Sequence, residues 1–326
     1  MEDKKKLIQD LLAAGVHFGH QTKRWNPKMK KFIYSEKNGI HIIDVTQTVE
    51  LLDKALEFLQ SAASKGDIVF VGTKKQAQNI IKDAAMRSGS YYIINRWPGG
   101  MLTNHAVIRL SLNKMDEILK NFQEGIQNRT KKELILMKRE LTRLDRLYGG
   151  LRGFNRKPAA IFVVDPKVEF IAVREARKMG VPIVAMVDTN TDPDLADYII
   201  PANDDALKSI TLITELVAKA VETGNGGKGI KHELIDFGQI DMDIAQMSTK
   251  LAEQTPQIEK KSSEEVMRPQ VFRVNQKAVS QPEPEIEKKV EPKSVKVEKE
   301  LKEVKVVKKP VSKPATKTIT KSKTTK

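Results

Sequence analysis

The chain of 326 residues contains no cysteine, and aromatic residues make up only 5% of it. The lack of thiols excludes a disulfide-stapled secreted fold, a thiolate zinc finger and a cysteine nucleophile. No stretch approaches the roughly 20 apolar residues of a membrane span, and the apolar run 7–16 is too short for a signal segment. These absences predict a soluble, intracellular protein.

Positive charge is in excess and unevenly distributed. Lys and Arg number 57 against 42 Asp and Glu, a formal net charge of +15. The net charge is +5 over residues 1–34, +7 over 104–157, −5 over 158–226 and +8 over 277–326. A basic surface most often meets phosphate or an anionic membrane, so the first two basic stretches are the candidate contact surfaces of the folded part.

The end of the chain has a different composition. Residues 277–326 hold 15 Lys and seven Glu, and no aromatic residue follows Phe272. Such a segment buries too little apolar surface to fold, so we predict a disordered tail over 277–326. The interspersed Glu argue against a membrane partner. Residues 227–276 are interpreted as a linker, with 228–247 as a candidate for a short docked helix.

Residues 1–226 alternate strand and helix patterns, which predicts an α/β domain with a largely parallel sheet. A hairpin over 32–43 is expected around Asn38-Gly39, and Thr73 with Gln76 has the spacing of a capping box that opens a helix. Helices are further expected over 45–63, 167–179 and 206–221. Buried strands are predicted at 67–72, 91–94, 160–164, 183–187 and 198–200.

Residues 104–150 carry no strand signal. Apolar residues recur there at alternating spacings of three and four in two runs, 108–126 and 134–148. Thr130 with Glu133 makes a second capping box, and Gly149-Gly150 ends the second run. The pattern predicts an inserted antiparallel helical hairpin with a narrow apolar seam and basic outer faces. A solvated coiled coil with ordinary charged faces is the plainer alternative.

Two short segments combine cations with aromatic rings, the chemistry that neutralises phosphate and stacks on unpaired bases. The first is 23–32 and the second is 95–104, where a flexible Gly-Gly turn adjoins a tryptophan. Packing of each tryptophan in the core is an equally good interpretation. With the lysines after the strand at 67–72 and one arginine of the first hairpin helix, the candidate RNA-binding residues are Lys23, Arg24, Trp25, Lys28, Lys30, Lys31, Lys74, Lys75, Arg96, Trp97, Asn104 and Arg109.

Other chemistry has weaker support. The turn Gly72-Thr73 has the strand-to-helix form that cradles phosphate, but both glycine-rich nucleotide fingerprints are missing. An enzyme or sensor for a phosphorylated metabolite or nucleotide is therefore the alternative function. No catalytic motif is present, so we expect neither an enzyme nor a cofactor. A metal site is a minor alternative, with candidate ligands His17, His20, Asp188, Asp204 and Asp205.

Six blocks of sequence resemble the bacterial small-subunit ribosomal protein two family, in the family's order and over about 7–225. Pro98 stands where the family usually carries Leu, and the extension beyond about 230 is longer and richer in lysine than is typical. The matching blocks are 17–20 with 25–29 (HFGH, WNPKM), 72–77 (GTKKQA), 96–104 (RWPGGMLTN), 158–165 (PAAIFVVD), 187–193 (VDTNTDP) and 197–206 (DYIIPANDDA).

The resemblance implies a flavodoxin-like α/β domain with a helical hairpin inserted in it. It further implies a non-catalytic, cytoplasmic, ribosome-associated protein that binds small-subunit ribosomal RNA and joins the particle late in assembly. Other small-subunit proteins would be partners, including ribosomal protein one, which the family helps to dock. Neither a membrane nor a small-molecule substrate is expected.

Overall fold

A computed structural model describes residues 2–124, 130–227 and 229–254. Five strands form a wholly parallel sheet in the order β5-β4-β6-β7-β8. The chain therefore winds outward from β4 in one direction and then, from β6 onward, in the other, which is the flavodoxin-like order and confirms the predicted fold class. The strands are β4 (Ile68–Val71), β5 (Tyr91–Ile93), β6 (Ala160–Val164), β7 (Ile183–Val187) and β8 (Tyr198–Pro201).

Both faces of this sheet are covered, since its three central strands are apolar and buried at every position. One face carries Phe70 and Phe162 and packs against α2 (Val45–Ala63), α3 (Gln78–Ser88) and α7 (Leu207–Asn225). The opposite face packs against α6 (Phe170–Met179) and the helical hairpin. The first helix, α1 (Glu2–Ala13), joins the first of these layers through Leu11.

A small antiparallel sheet precedes the main one, in the order β1-β3-β2. Its hairpin joins β2 (Ile33–Lys37) to β3 (Ile40–Ile43), and Asn38 and Gly39 both have positive φ, at 55° and 74°. That conformation is what a two-residue type I′ turn requires. The third strand, β1 (Phe18–Gln21), had no recognisable pattern because it is only four residues long and half-buried.

The helical hairpin is formed by α4 (His105–Gln123) and α5 (Lys131–Tyr148). Its seam holds Leu112, Met115 and Leu141, which are almost inaccessible to solvent. The predicted capping box of Thr130 and Glu133 opens α5. Residues 125–129, between the two helices, lie outside the described residues. The seam is continuous with the core on its side of the sheet, so the hairpin and the body share one apolar cluster.

The described chain continues past the last predicted helix of the body. Beyond Gly226 it crosses the end of α3, where the backbone of Gly229 lies so close to Gly89 that a Cβ on Gly89 would sit 2.4 Å from the Gly229 Cα. It then forms α8 (Phe237–Gln254), whose Ile240 and Ile244 are buried against the hairpin and whose Asp241 pairs with Lys138. The helix begins and ends later than predicted. The predicted disordered tail, 277–326, lies outside the described residues.

Within the described part of the chain, no helix has both the length and the apolar composition needed to cross a membrane.

Gly150 gives a test of the packing between the hairpin and the sheet. A Cβ at this position would lie 2.2 Å from the carbonyl oxygen of Tyr92 in β5, so backbone would have to move. We expect Gly150→Ala to lower the free energy of unfolding by about 3 kcal/mol, measured by urea denaturation. Gly99→Ala is the matched control because no atom lies within 4 Å of its new Cβ. Equal stability of the two variants would contradict this packing.

Candidate nucleic-acid interface

The basic segment, residues 22–32, is held on the body by its apolar side chains. Met29 and Phe32 are buried, and the backbone N–H of Asn26 donates to the carbonyl oxygen of Thr189, 2.8 Å away, just after β7. The Asn26 side chain accepts from the N–H of Lys28 and so opens a short 3-10 helix at Pro27. The cations of this segment therefore stand on a backbone that is fixed to the sheet.

Four of these cations face solvent. Lys23, Arg24, Lys30 and Lys31 are exposed, and none makes an ion pair with any residue that the structure describes. Each therefore keeps its charge available to an outside anion, because no internal carboxylate competes for it. The fixed backbone beneath them lowers the conformational entropy that a bound anion would have to restrict.

Lys28 does not belong with these four. Its ammonium lies 2.8 Å from Asp192 and 2.6 Å from Asp194, and hydrogen bonds to these two carboxylates raise its pKa. The structure thus gives Lys28 an anchoring contact between the basic segment and the loop after β7. Trp25 is half-buried, with its ring centroid 5.0 Å from that of His41, so only part of its ring is available for stacking.

Lys74 is also withdrawn from solvent, in contrast to the sequence prediction. Its ammonium lies 2.8 Å from Asp165, 2.7 Å from Asp204 and 2.9 Å from Asp205, and its side chain is only 14% exposed. Burial alone would lower the pKa of Lys74, but the negative charges of Asp204 and Asp165 outweigh it and raise that pKa. The neighbouring Lys75 is exposed and remains a candidate contact.

The turn after β4 does not have the form of a phosphate cradle. The backbone N–H of Thr73 donates to the buried carboxylate of Glu169, 2.7 Å away, instead of pointing at open space. The predicted capping box of Thr73 and Gln76 is absent, and α3 begins only at Gln78 without a side-chain cap. Glu169 and Lys74 thus fill the point at which such sheets bind nucleotides, and nothing in this geometry supports the phosphorylated-metabolite alternative.

The second aromatic segment, 96–104, is organised by one buried carboxylate. Glu175 of α6 accepts from the backbone N–H groups of Gly100, Leu102 and Thr103, at 2.7, 3.1 and 3.3 Å. The indole Nε1–H of Trp97 donates to the same carboxylate at 3.3 Å. Trp97 is 4% exposed, so the prediction that its ring stacks on bases is wrong and the core-packing interpretation is right.

Three other predicted contacts remain on the surface of this region. Arg96, Asn104 and Arg109 are exposed, and Asn104 precedes α4 without capping it by a side-chain hydrogen bond. Neither arginine pairs with a carboxylate in the described parts of the chain. Much of the other charge on the hairpin is internally paired, for example Lys114 with Glu140 at 2.6 Å. The free positive charge there is therefore smaller than the sequence count suggested.

The candidate metal ligands are partly brought together. His20 lies with Nδ1 3.1 Å from Asp188 and Nε2 3.3 Å from Asp205, and hydrogen bonding to Asp188 raises the pKa of His20. Asp204 is fully buried, and burial together with the charges of Asp165 and Asp188 raises its pKa to about 8. His17 stays apart, with its ring centroid 4.0 Å from that of Phe18 and the two rings tilted by 39°, and burial lowers the pKa of His17.

Three carboxylates that organise this region were not singled out in the sequence: Asp165, Glu169 and Glu175. A signal existed for Asp165, because it directly follows a buried strand and adopts a left-handed backbone conformation with φ of 60°. In that conformation its side chain accepts from the N–H groups of Lys167 and Val168. The two glutamates gave no signal, since each partners a backbone far away in the sequence.

Glu175 provides a stability test. Removing its carboxylate leaves several donors without an acceptor, so we expect Glu175→Ala to cost about 3 kcal/mol or more. The change should be made in a Trp25→Phe background, in which a red shift of fluorescence reports exposure of Trp97 alone. Glu215→Ala, at an exposed position of α7, is the control. If Glu175→Ala in this background still unfolds cooperatively and its fluorescence spectrum is unshifted, the organising role of Glu175 is contradicted.

Glu169 provides a pH test. Burial raises its pKa, although the hydrogen bond from Thr73 partly opposes this. The folded chain therefore keeps the Glu169 proton to higher pH than the unfolded chain, and stability from this group falls as pH rises through its folded pKa. Glu169→Gln cannot ionise, so we expect it to lose less stability than the parent chain between pH 4.5 and 7.5 in urea titrations. Parallel curves would contradict this assignment.

The chain is similar in sequence to known proteins over most of its described part. The family model described as ribosomal protein S2 matches residues 11–224. The small ribosomal subunit protein uS2 of Sorangium cellulosum (strain So ce56) is 51% identical over 219 residues, 67% of this chain and 79% of the relative. The protein of the same name from Mycobacterium sp. (strain KMS) is 49% identical over 233 residues, 69% of this chain and 82% of the relative. The chain belongs to the ribosomal protein S2 family and is a structural, non-enzymatic component of the small ribosomal subunit, with which it resides in the cytoplasm.

Proposed function

We propose that the chain binds small-subunit ribosomal RNA through the basic segment, with Lys75, Arg96 and Arg109 as further contacts. The observation that carries this proposal is the set of four exposed cations, Lys23, Arg24, Lys30 and Lys31, without internal ion pairs in the described structure. Cations that replace condensed counterions on phosphates supply most of the sequence-independent affinity for RNA.

The geometry of the basic segment suits a folded RNA backbone better than a flexible peptide ligand. Met29 and Phe32 are buried while Lys30 and Lys31 between them are exposed, so the backbone that carries the two lysines is held in place. The exposed part of Trp25 adds an edge beside them that can contact an unpaired base. Recognition of this kind depends on RNA shape and backbone, and it weakens steeply as salt concentration rises.

We infer two further roles from the family resemblance: late entry into the assembling particle and docking of ribosomal protein one. The buried core of a protein–protein interface is richer in apolar area than the rest of the surface. The start of α6 offers such area, since Val168, Phe170 and Ile171 are each about half exposed, at 52%, 51% and 51%.

Serine at these three positions is expected to reduce retention of ribosomal protein one on purified small subunits while the chain itself stays bound. Unchanged retention of ribosomal protein one would exclude this surface as its docking site.

Replacement of Lys23, Arg24, Lys30 and Lys31 by Ala tests the RNA-binding role directly. We expect affinity for small-subunit RNA to fall about tenfold or more at near-physiological salt, with a shallower dependence of log K on log salt. Filter binding across a series of salt concentrations measures both quantities. Incorporation into small subunits should fall in parallel.

A matched control removes four cations from the acidic part of the chain: Arg177, Lys178, Lys208 and Lys219, all exposed. It lowers the net charge by the same amount but leaves the basic segment intact, so its RNA affinity should change much less. Equal losses in the two variants would mean that only total charge matters. Normal affinity of the basic-segment variant would exclude that segment as the interface.

A further inference from the structure

His41 of β3 is a buried histidine whose ring nitrogens have no partners. The residue is 8% exposed, and neither Nδ1 nor Nε2 makes a hydrogen bond with any group that the structure describes. An imidazole always carries at least one N–H donor, and a buried polar group without a partner is costly. The free chain thus buries a hydrogen-bonding group that is available to a ligand.

The neighbouring strand does not supply a partner for His41. Glu36 of β2 lies directly opposite His41 in the antiparallel register, so the two side chains share one face of the small sheet. Glu36 is exposed, and its carboxylate makes no hydrogen bond with either ring nitrogen. This opposite carboxylate therefore leaves the imidazole unsatisfied.

Trp25 packs on His41 and separates it in part from solvent. The two ring centroids are 5.0 Å apart, with the ring planes tilted by 43°, and Trp25 is half-buried. The indole of Trp97 is anchored by its hydrogen bond to Glu175, whereas the indole of Trp25 has no such bond to any described residue. Packing alone therefore keeps the Trp25 ring beside His41.

The backbone is fixed on both sides of Trp25. The N–H of Thr22 donates to the carbonyl oxygen of Gly39 at 3.0 Å, and the N–H of Asn26 donates to that of Thr189 at 2.8 Å. The indole can turn about its own side-chain bonds while the basic segment stays in place. Such a rotation opens space beside the imidazole and keeps an aromatic face next to it.

Two exposed cations, Lys23 and Arg24, directly precede Trp25 and make no ion pair within the described structure. A phosphate held by them brings the attached nucleotide to the neighbourhood of the indole. Proteins recognise unpaired RNA bases by stacking them on aromatic rings and by hydrogen bonds to their edges. Charge, a stacking face and an unsatisfied hydrogen-bonding group are thus adjacent here.

We propose that Trp25 and His41 form a binding site for one unpaired base of the bound RNA. The base stacks on the indole, and an imidazole N–H of His41 donates a hydrogen bond to an acceptor on the edge of the base. This site rests on the proposed function, because the basic segment holds the RNA there. It adds a contact to a base edge that does not depend on charge.

His41→Phe tests the hydrogen bond in the full chain. The phenyl ring keeps the packing on Trp25 but has no donor, and all cations of the basic segment remain. We expect affinity for small-subunit RNA to fall about tenfold, while the slope of log K against log salt stays the same because no phosphate contact is lost. Filter binding over a series of salt concentrations measures both quantities.

His105→Phe is the matched control. His105 also has a buried ring nitrogen without a partner, and it packs on the ring of Phe154 in another part of the fold, with the ring centroids 5.3 Å apart. The same chemical change there should leave RNA affinity as it is in the parent chain.

The free chain gives a second readout that a merely structural histidine would not produce. Because the imidazole has no partner there, a phenyl ring in its place should leave the free energy of unfolding unchanged or raise it, measured by urea denaturation without RNA. His41→Leu repeats both measurements with a smaller side chain, in case the phenyl ring is too large for the site.

Fluorescence reports the stacking on Trp25. The chain has two tryptophans, and Trp97 is 4% exposed, so the difference between the parent chain and Trp25→Phe isolates the signal of Trp25. We expect saturating small-subunit RNA to quench this difference signal, because a base stacked on the indole lies in contact with it.

RNA affinity equal to that of the parent chain in folded His41→Phe and His41→Leu would overturn the proposal. A loss of stability in both variants without RNA would do the same, since the imidazole would then have a partner in the free chain. An equal loss of affinity in His105→Phe, or an unquenched Trp25 signal, would also count against it. Failure of the proposed function is distinct, because RNA affinity would then not depend on the cations of the basic segment.

Discussion

One buried ammonium group holds the carboxyl end of the parallel sheet together. Lys74 extends from the turn after β4 and contacts Asp165 after β6 and Asp204 after β8, so it links three separate strand ends. A buried ion pair contributes little net stability compared with an apolar core, but loss of one partner leaves an uncompensated charge. The strand ends are therefore constrained to one arrangement, and the loops that carry the surface charges are positioned by it.

This arrangement explains how a fold built for binding ligands at its strand ends serves a different purpose. In related sheets, the turn after the first strand presents backbone N–H groups to phosphate. Here Glu169 occupies that N–H and Lys74 is surrounded by carboxylates. The protein fills its own cleft with side chains, while the cations that stay free lie on the outer surface of the basic segment. Under the proposed function, phosphate is therefore bound at this outer surface and not in the cleft.

The strand runs, the I′ turn at Asn38-Gly39 and the seam of the helical hairpin were all predictable, because each is a local pattern of apolar spacing or turn chemistry. The roles of Trp97 and Lys74 were not. Their decisive partners, Glu175 and Asp204, lie 78 and 130 residues away, and no periodicity connects such positions. The helix start at Thr73 failed for the same reason, since a distant carboxylate took the N–H that local capping would have used. Exposed cations such as Lys30 were identified correctly as surface residues, whereas their RNA contacts stay predictions.

The crossing of Gly229 over Gly89 brings the chain back across the body before α8 reaches the hairpin. Because α8 follows every other described element, it is synthesised after them, while domains in general begin to fold as they leave the ribosome. The seam between α4 and α5 must then exist for a time with one side bare, awaiting Ile240 and Ile244. Until α8 emerges, the nascent body therefore exposes the apolar surface that these two isoleucines later cover.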